Sequence, residues 1–380
     1  LSSFQALDGF ASSDGTERYL RYAASCGKPE SHFKKFDGLT LSSIGMGTYL
    51  GQPTQEDDAA IMNAVYQSVK SGAVNVIDTA INYRAMKSEK SIGRALLRLV
   101  ADNVVTRDQV FVSTKNGYIT NDGDFPSVDV MEYMHKMYIS NGVITGDDIS
   151  SGYNVMNPNY IAKSIDKSLM NMHLSTIDLV YVHNSFESWH QDVSRDTFME
   201  MLAKVFETYE AYRAKGRIRN YGMATWTCFR VPSSSKEYLS LEKCVHVAET
   251  VGGKGHGFKF IQLPYNLAMS EAFFLRNQTV GSLNDLTILE AAAHLEIGVF
   301  TSIPLFQGRL LGLDVPAYGG VSGNTAKLVQ IIRSTPSVIA PLIGQKKAEH
   351  VEENLKVADT PPMNGDEFKA AVALLTDRLL

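Results

Sequence analysis

Residues 177–224 carry IDLVYVH at 177–183, a stretch from Asp196 to Lys215 with apolar residues at helical spacing, and IRNYGMA at 218–224. Short apolar runs bounded by turn residues predict strands, and a 3.6-residue apolar period predicts a helix. The segment therefore reads strand, helix, strand, the unit of a parallel sheet whose faces are covered. Working outward, the same alternation fills most of the chain. Further strands are expected at Leu41 to Met46, Val74 to Asp78, Val110 to Thr114, Phe258 to Leu263, Gly298 to Ile303 and Ser337 to Ile343. Helices are expected at Glu56 to Ser71, Ser88 to Leu99, Tyr160 to His173, Lys236 to Thr250, Asn284 to Leu295, Thr325 to Ser334 and Lys346 to Lys356. Thr54 is placed to cap the first of these, and Ser88 with Ser91 the second. Eight short strands at fairly regular spacing suit a closed (β/α)8 TIM barrel better than an open sheet.

Such a barrel takes about 250 residues, and the chain has 380. The surplus falls in an N-terminal extension (1–37), ahead of a single barrel domain (38–380), and in long connections. These are Asn116 to Asn159, the Gly-rich Val251 to Gly257, Met269 to Gly281 and Gly312 to Gly323. In a barrel the loops after the strands shape access to the active face. The Gly-rich stretch lacks the Gly-Lys-Ser/Thr of a phosphate loop and leads into a strand, so a plain connection is expected there.

Composition narrows the function. With 36 Lys+Arg against 41 Asp+Glu the net charge is −5, so nucleic acid is not the expected partner. Hydrophobic residues make up 44% and charged residues 20%, the balance of a globular chain able to form a sizeable core. No apolar run approaches the ~20 residues of a membrane span. Leu1 to Gly15 shows no basic segment followed by an apolar core, so no signal peptide is expected. Cys26, Cys228 and Cys244 have neither disulfide nor metal-ligand spacing, and His173, His190 and His246 suggest no metal. A reducing, cytoplasmic compartment is expected.

Four reactive side chains stand at or just past consecutive strand ends: Asp78, Tyr83, Lys115 and His183. This set suits carbonyl reduction. A ketone accepting hydride develops negative charge on oxygen and needs a proton donor. Tyr83 could donate if Lys115 drew its pKa from about 10 toward neutrality. Asp78 would hold Lys115, and His183 would orient the carbonyl oxygen.

With these residues in place, the chain resembles the aldo-keto reductase superfamily over about residues 40 to 358. The resemblance rests on Gly45-Met46-Gly47-Thr48, the Asp78 to Leu96 block, Lys115, His183, and Gly222-Met223-Ala224-Thr225. It continues through Gln262-Leu263-Pro264-Tyr265-Asn266, Ser302-Ile303-Pro304-Leu305, and Ile343-Gly344 to Glu353-Asn354. It implies a nicotinamide cofactor and a catalytic Asp, Tyr, Lys, His tetrad. By resemblance, Gly47 and Thr48 approach the nicotinamide, Gln262 and Thr225 meet its carboxamide, and Tyr265 stacks on its ring. Ser302, Leu305 and Gly308 would wrap the pyrophosphate. Lys346, Lys347 and His350 would contact a 2′-phosphate, with Glu353 and Asn354 near the adenine, which favours NADP with NAD as the alternative. Tyr49, Tyr118 and Trp226 are the candidates for substrate contact. Ala224-Thr225-Trp226 replaces the usual polar pair after the fifth strand, and Asn184 follows His183 where one large branch has Trp. The implied activity is the interconversion of an aldehyde or ketone, including a sugar, with its alcohol. The alternative is a slow-turnover, NADP-binding sensing or regulatory subunit of the same fold.

Overall fold

The computed structural model describes residues 6–379. The first five residues of the expected extension, and Leu380, lie outside the described residues. Among the described residues twelve strands occur: β1 (Phe33–Phe36), β2 (Leu39–Ser42), β3 (Gly45–Gly47), β4 (Val76–Asp78), β5 (Phe111–Asn116), β6 (Ile177–His183), β7 (Ile218–Ala224), β8 (Phe258–Pro264), β9 (Arg276–Val280), β10 (Leu283–Thr287), β11 (Gly298–Ser302) and β12 (Val338–Gly344). Eight of them close a barrel in the order β3-β4-β5-β6-β7-β8-β11-β12, with parallel neighbours. The remaining four form two antiparallel hairpins, β1-β2 and β9-β10.

The helices are α1 (Ser13–Ser25), α2 (Gln55–Lys70), α3 (Lys87–Ala101), α4 (Val130–Met134), α5 (Pro158–Met172), α6 (Ser185–Trp189), α7 (Arg195–Ala214), α8 (Leu241–Gly252), α9 (Glu271–Phe274), α10 (Ile288–His294), α11 (Asn324–Arg333), α12 (Ala348–Leu355) and α13 (Gly365–Leu379). Strand side chains alternate between the barrel interior and the helix layer. Phe111, Leu179, Tyr181, Phe260 and Phe300 point inward, whereas Val112, Val180, Val182 and Ile261 join the core beneath the helices. Thr54 caps α2 as expected, its hydroxyl accepting from the Asp57 amide. None of the described helices is long and apolar enough to cross a membrane.

Several expectations shift. The barrel's first strand is Gly45–Gly47 only, because 39–42 is taken up by the hairpin. Ser88 does not cap α3; its hydroxyl donates to the Thr48 carbonyl, and the helix starts after a left-handed Met86. The helix expected from Asn284 is strand β10 followed by α10, which Thr287 and Glu290 open with a capping box. α8 starts at Leu241 behind its cap Ser240, not at Lys236.

The described part of the extension seals the barrel's amino-terminal end. The Ala11 amide donates to Asp178 Oδ1 at 2.6 Å, and Arg107 meets Asp178 Oδ2 at 2.7 Å. The Tyr19 hydroxyl lies 2.7 Å from both the Val69 and Val74 carbonyls, which share its one proton. Phe36 of the hairpin closes on Phe260 with ring centroids 5.1 Å apart. Among the described residues, the opposite end is the one that carries the large cleft. Tyr133, Met134, Tyr138 and Val155 of the 116–159 connection form a small separate core together with Met86 and Tyr160 from outside it.

Gly222 on β7 sits where a Cβ would overlap the Phe260 carbonyl oxygen and crowd Tyr181. Gly222→Ala should destabilise the fold by about 3 kcal/mol, since the neighbours are backbone and core. Chemical denaturation checks this, and an unchanged midpoint would contradict it.

Candidate active site

Barrel register builds the site. Asp78 pairs in register with Ser113, which puts Lys115 two residues further along β5 on the same face. Asp78 Oδ1 accepts from Ser113 Oγ at 2.7 Å and from Gln262 Nε2 at 2.9 Å, the latter reaching across the barrel from β8. Asp78 Oδ2 accepts from Lys115 Nζ. That ammonium also donates to the Thr79 carbonyl at 2.8 Å and to Tyr83 Oη at 3.2 Å. A lysine has three protons to give, and here all three have acceptors. The Tyr83 oxygen accepts from Lys115, so its own hydrogen is free to point at a ligand.

Burial opposes the charge on Lys115, yet the Asp78 carboxylate and Tyr83 raise its pKa and keep it an ammonium. The expectation for Tyr83 needs correcting. Burial raises the pKa of its hydroxyl, Lys115 offsets only part of that, and the Asp78 charge adds to the rise. The phenol is therefore held protonated, not drawn toward neutrality. At His183, burial and then the Lys115 charge push the pKa well below its ordinary value, so the imidazole is neutral. Its Nδ1 is buried without a hydrogen-bond partner among the described residues. The rings of Tyr49 and Tyr83 lie 5.1 Å apart, Tyr83 and His183 5.9 Å, and Tyr118 and His183 4.9 Å.

These groups form the floor of a cleft of about 580 Å3. Of the residues singled out in the sequence, it gathers Gly47, Thr48, Tyr49, Asp78, Tyr83, Tyr118, His183, Thr225, Trp226, Gln262, Ser302, Leu305, Gly308 and His350. Lys115 lies directly beneath. Tyr49 is 60% exposed and Trp226 41%, which puts both at the rim.

Others stand apart. Tyr265 does not face the cleft: its buried hydroxyl pairs with Thr335 Oγ1 at 3.1 Å, beside a small separate cavity lined by Phe273 and Ile331, so it cannot stack on a ring held in the cleft. Lys346 donates to Asp57 Oδ1 at 2.6 Å, and Lys347 is exposed at the start of α12. Glu353 is exposed outside the cleft, whereas Asn354 is buried and donates to Gln345, which in turn holds Ser68 on α2. The walls also include Leu50, Asn82, Asn184, Ile303, Pro304, Gln307, Leu311 and Gly344, to which the sequence assigns no site role even where they fall within its motifs. Asn184 has φ of 43°; an asparagine after a strand end is the available hint, because Asn tolerates the left-handed region.

The walls fit a dinucleotide. Ile303, Phe306, Gln307 and Gly308 have φ of 48°, 48°, 55° and 85°, a contorted backbone of the kind that clusters at ligand clamps. α12 starts without a side-chain cap, leaving amides free for an anion beside Lys346 and Lys347. None of the described residues forms a metal-binding group.

The aldo/keto reductase family model matches residues 43–327. The chain belongs to the aldo/keto reductase family. It is 32% identical over 80 residues to aldo-keto reductase AKR2E4 of Bombyx mori, covering 21% of this chain and 25% of that protein. It is 27% identical over 191 residues to the NADH-specific methylglyoxal reductase of Escherichia coli (strain K12), 49% of each chain. These matches thus span a quarter and about half of the two curated relatives. Among solved structures, an aldo/keto reductase from Klebsiella pneumoniae in complex with NADP and acetate superposes with a TM-score of 0.57 at 17% identity, over 90% of this chain and 95% of that one.

Within this aldo/keto reductase, Glu187 on α6 fixes the rim. Its Oε1 accepts the amides of Trp226, Thr227 and Cys228 at 2.8, 2.7 and 3.0 Å. Glu187→Ala would leave three amides without their acceptor, at about 1–3 kcal/mol for any left buried. Trp226 emission should shift to the red and denaturation should begin earlier; an unchanged spectrum and midpoint would contradict this role.

Proposed function

We propose that the chain is an NADP-dependent oxidoreductase that interconverts an uncharged aldehyde or ketone with its alcohol. The observation that carries the reading is Lys115 Nζ, held on Asp78 and set 3.2 Å from Tyr83 Oη at the floor of the cleft. When bound, the nicotinamide cofactor supplies the hydride, or accepts it in the reverse direction. Gly47, Thr48, Ser302, Leu305 and Gly308 are the residues we assign to hold it, with Lys346, Lys347 and His350 at the phosphate end. Lys346 has to be shared between Asp57 and a 2′-phosphate, and the Escherichia coli relative is named NADH-specific, so NAD is the alternative cofactor.

The rest is done by side chains of this chain. Tyr83 donates its phenolic proton to the carbonyl oxygen as negative charge builds there. The neutral His183 offers a second hydrogen bond that orients the same oxygen. Lys115 stabilises the phenolate left behind, and Asp78 keeps the lysine charged and in place. Apart from the histidines and Asp78, whose carboxylate is occupied by Lys115, no ionisable acid or base but tyrosine among the described residues lines the cleft. The cation at the Tyr83 hydroxyl, Lys115, is buried with all three protons engaged by Asp78, Thr79 and Tyr83. A carboxylate or phosphate on the substrate would therefore find no free cationic partner there among the described residues, which supports the uncharged class; sugars and simple carbonyls both fall within it.

Titration with NADPH and NADH, followed by tryptophan fluorescence, should show tighter binding of NADPH. Turnover of neutral aldehydes should then exceed that of their carboxylated analogues by about tenfold, an ion-pair-sized difference. Tyr83→Phe should lower kcat by about a hundredfold or more with NADPH affinity unchanged, the range for losing a general acid. Undiminished turnover would remove Tyr83 from its role. Stable NADPH binding with negligible turnover across the panel would favour the sensing-subunit reading instead.

The pH profile follows from the raised Tyr83 pKa. Reduction needs the phenol, so its kcat should stay level through neutral pH and fall only above about 10, the ordinary tyrosine value. Oxidation needs the phenolate and should climb over the same range. An alkaline limb near pH 7 in the reductive direction would contradict this assignment.

A further inference from the structure

Tyr83 is followed by three successive non-glycine residues in the left-handed region: Arg84, Ala85 and Met86 have φ of 53°, 52° and 68°. Each costs about 1 kcal/mol or more and persists only where the surroundings over-determine it. Here the surroundings are ionic. Arg84 has a fully buried side chain; its Nε donates to the Gln52 carbonyl at 2.9 Å and a terminal nitrogen pairs with Asp58 on α2. Lys87 joins Asp58 at 2.8 Å to Asp124 at 3.2 Å. Lys90 joins Asp124 to Asp122, and Lys167 on α5 meets Asp122 at 3.0 Å. The Gly123 amide donates to the Ala85 carbonyl at 2.8 Å, so the 116–159 connection grips the turn by its backbone as well. A Cβ on Gly123 would meet that carbonyl oxygen and the Lys87 side chain at 3.1 Å.

We propose that this alternating chain of charges positions the Tyr83 hydroxyl, with Arg84 as its inner anchor and Asp122-Gly123-Asp124 as its outer clasp. The inference rests on the reading of Tyr83 as proton donor. Two features separate it from ordinary stabilisation. One Arg84 guanidinium nitrogen is buried with no partner among the described residues, a cost that apolar side chains of like volume would avoid. The chain's links also converge on the segments that wall the cleft. Arg84 ties down Gln52, on the loop that begins with Thr48 and Tyr49. The clasp belongs to the connection that brings Tyr118 against His183. Asp124 thereby acts on the reacting end through the turn, touching neither substrate nor cofactor.

Three variants test this: Arg84→Met, Arg84→Lys and Asp124→Asn. The readouts are kcat for aldehyde reduction, NADPH affinity, melting temperature and hydrogen exchange of the amides at 83–88. Displacing a reacting group by about 1 Å can cost on the order of a hundredfold in rate. Arg84→Met should lower kcat by about that factor with NADPH affinity within about twofold, and Arg84→Lys should recover part of it. Asp124 is half-exposed, so its replacement by Asn should fold normally. It should lower kcat by about threefold to fivefold and speed exchange at 83–88, a smaller effect in line with its one-link distance from the turn. Wild-type kcat in Arg84→Lys and Asp124→Asn, or a lowered melting temperature with kcat unchanged, would overturn the proposal. A wild-type protein without reductase activity would instead remove the reading beneath it. The clasp would then stand or fall on exchange at 83–88 in Asp124→Asn, and unchanged exchange would overturn it.

Discussion

A carboxylate and an ammonium buried together at the open end of the barrel, Asp78 and Lys115, set the terms for everything around them. Each ion loses several kcal/mol of hydration on burial, which mutual attraction repays only if every remaining donor and acceptor is met. Lys115 meets that condition with Asp78, Thr79 and Tyr83, and Asp78 meets it with Lys115, Ser113 and Gln262. The partners come from β4, β5 and β8. Since β8 lies opposite β4 in the closed order, the Gln262 bond spans the barrel mouth and exists only when the barrel is shut in one register. The charge pair and the fold therefore specify each other. A slip of one residue on β5 would turn Lys115 outward and leave a bare carboxylate inside.

The closed end works by the same physics with a different outcome. Asp178 is also a buried carboxylate at a strand, but its partners are the Ala11 amide, the Val112 amide and Arg107. Both of its oxygens are engaged by backbone amides and a guanidinium, and Phe36 packs nearby against Phe260. Nothing reactive is left over there. At the mouth, the Tyr83 hydroxyl accepts from Lys115 and keeps its own proton uncommitted beside the cleft.

What could be read from sequence follows from how each feature is encoded. Barrel strands such as 177–183 and 258–264 are buried on both faces, so they appear as unbroken apolar runs. The hairpin β9-β10 carries Arg276, Asn277, Asn284 and Asp285, and its polar pattern hides it; half of it was absorbed into an expected helix. α1 and α13 stand outside the βα alternation. The tetrad was legible because its members fall at successive strand ends. Tyr265 was misplaced because a motif fixes order along the chain and not the side to which a ring turns; one residue past β8, it points into the helix layer. The grip of 122–124 on the Tyr83 turn could not be read, since ion pairs across 30 or more residues leave no local period, and no glycine marks the left-handed run at 84–86.

Tyr83 sits between two opposing influences, and their balance sets its resting protonation state. Burial favours the neutral phenol, whereas the Lys115 ammonium favours the phenolate. Had the cation prevailed, the resting group would be an anion and a base, suited to alcohol oxidation. Because Asp78 neutralises much of the lysine's field while burial persists, the resting group is an acid. On the proposed reading of Tyr83 as donor, it gives up its proton only when a stronger need for one develops beside it, on a carbonyl oxygen turning into an alkoxide. Lys115 then has a phenolate to stabilise, and its worth is realised at that moment and not before. An interaction that strengthens as charge moves lowers the barrier without tightening the ground state. On that reading the buried pair serves two ends: it costs little in the resting enzyme because it is satisfied, and it contributes most when Tyr83 becomes an ion.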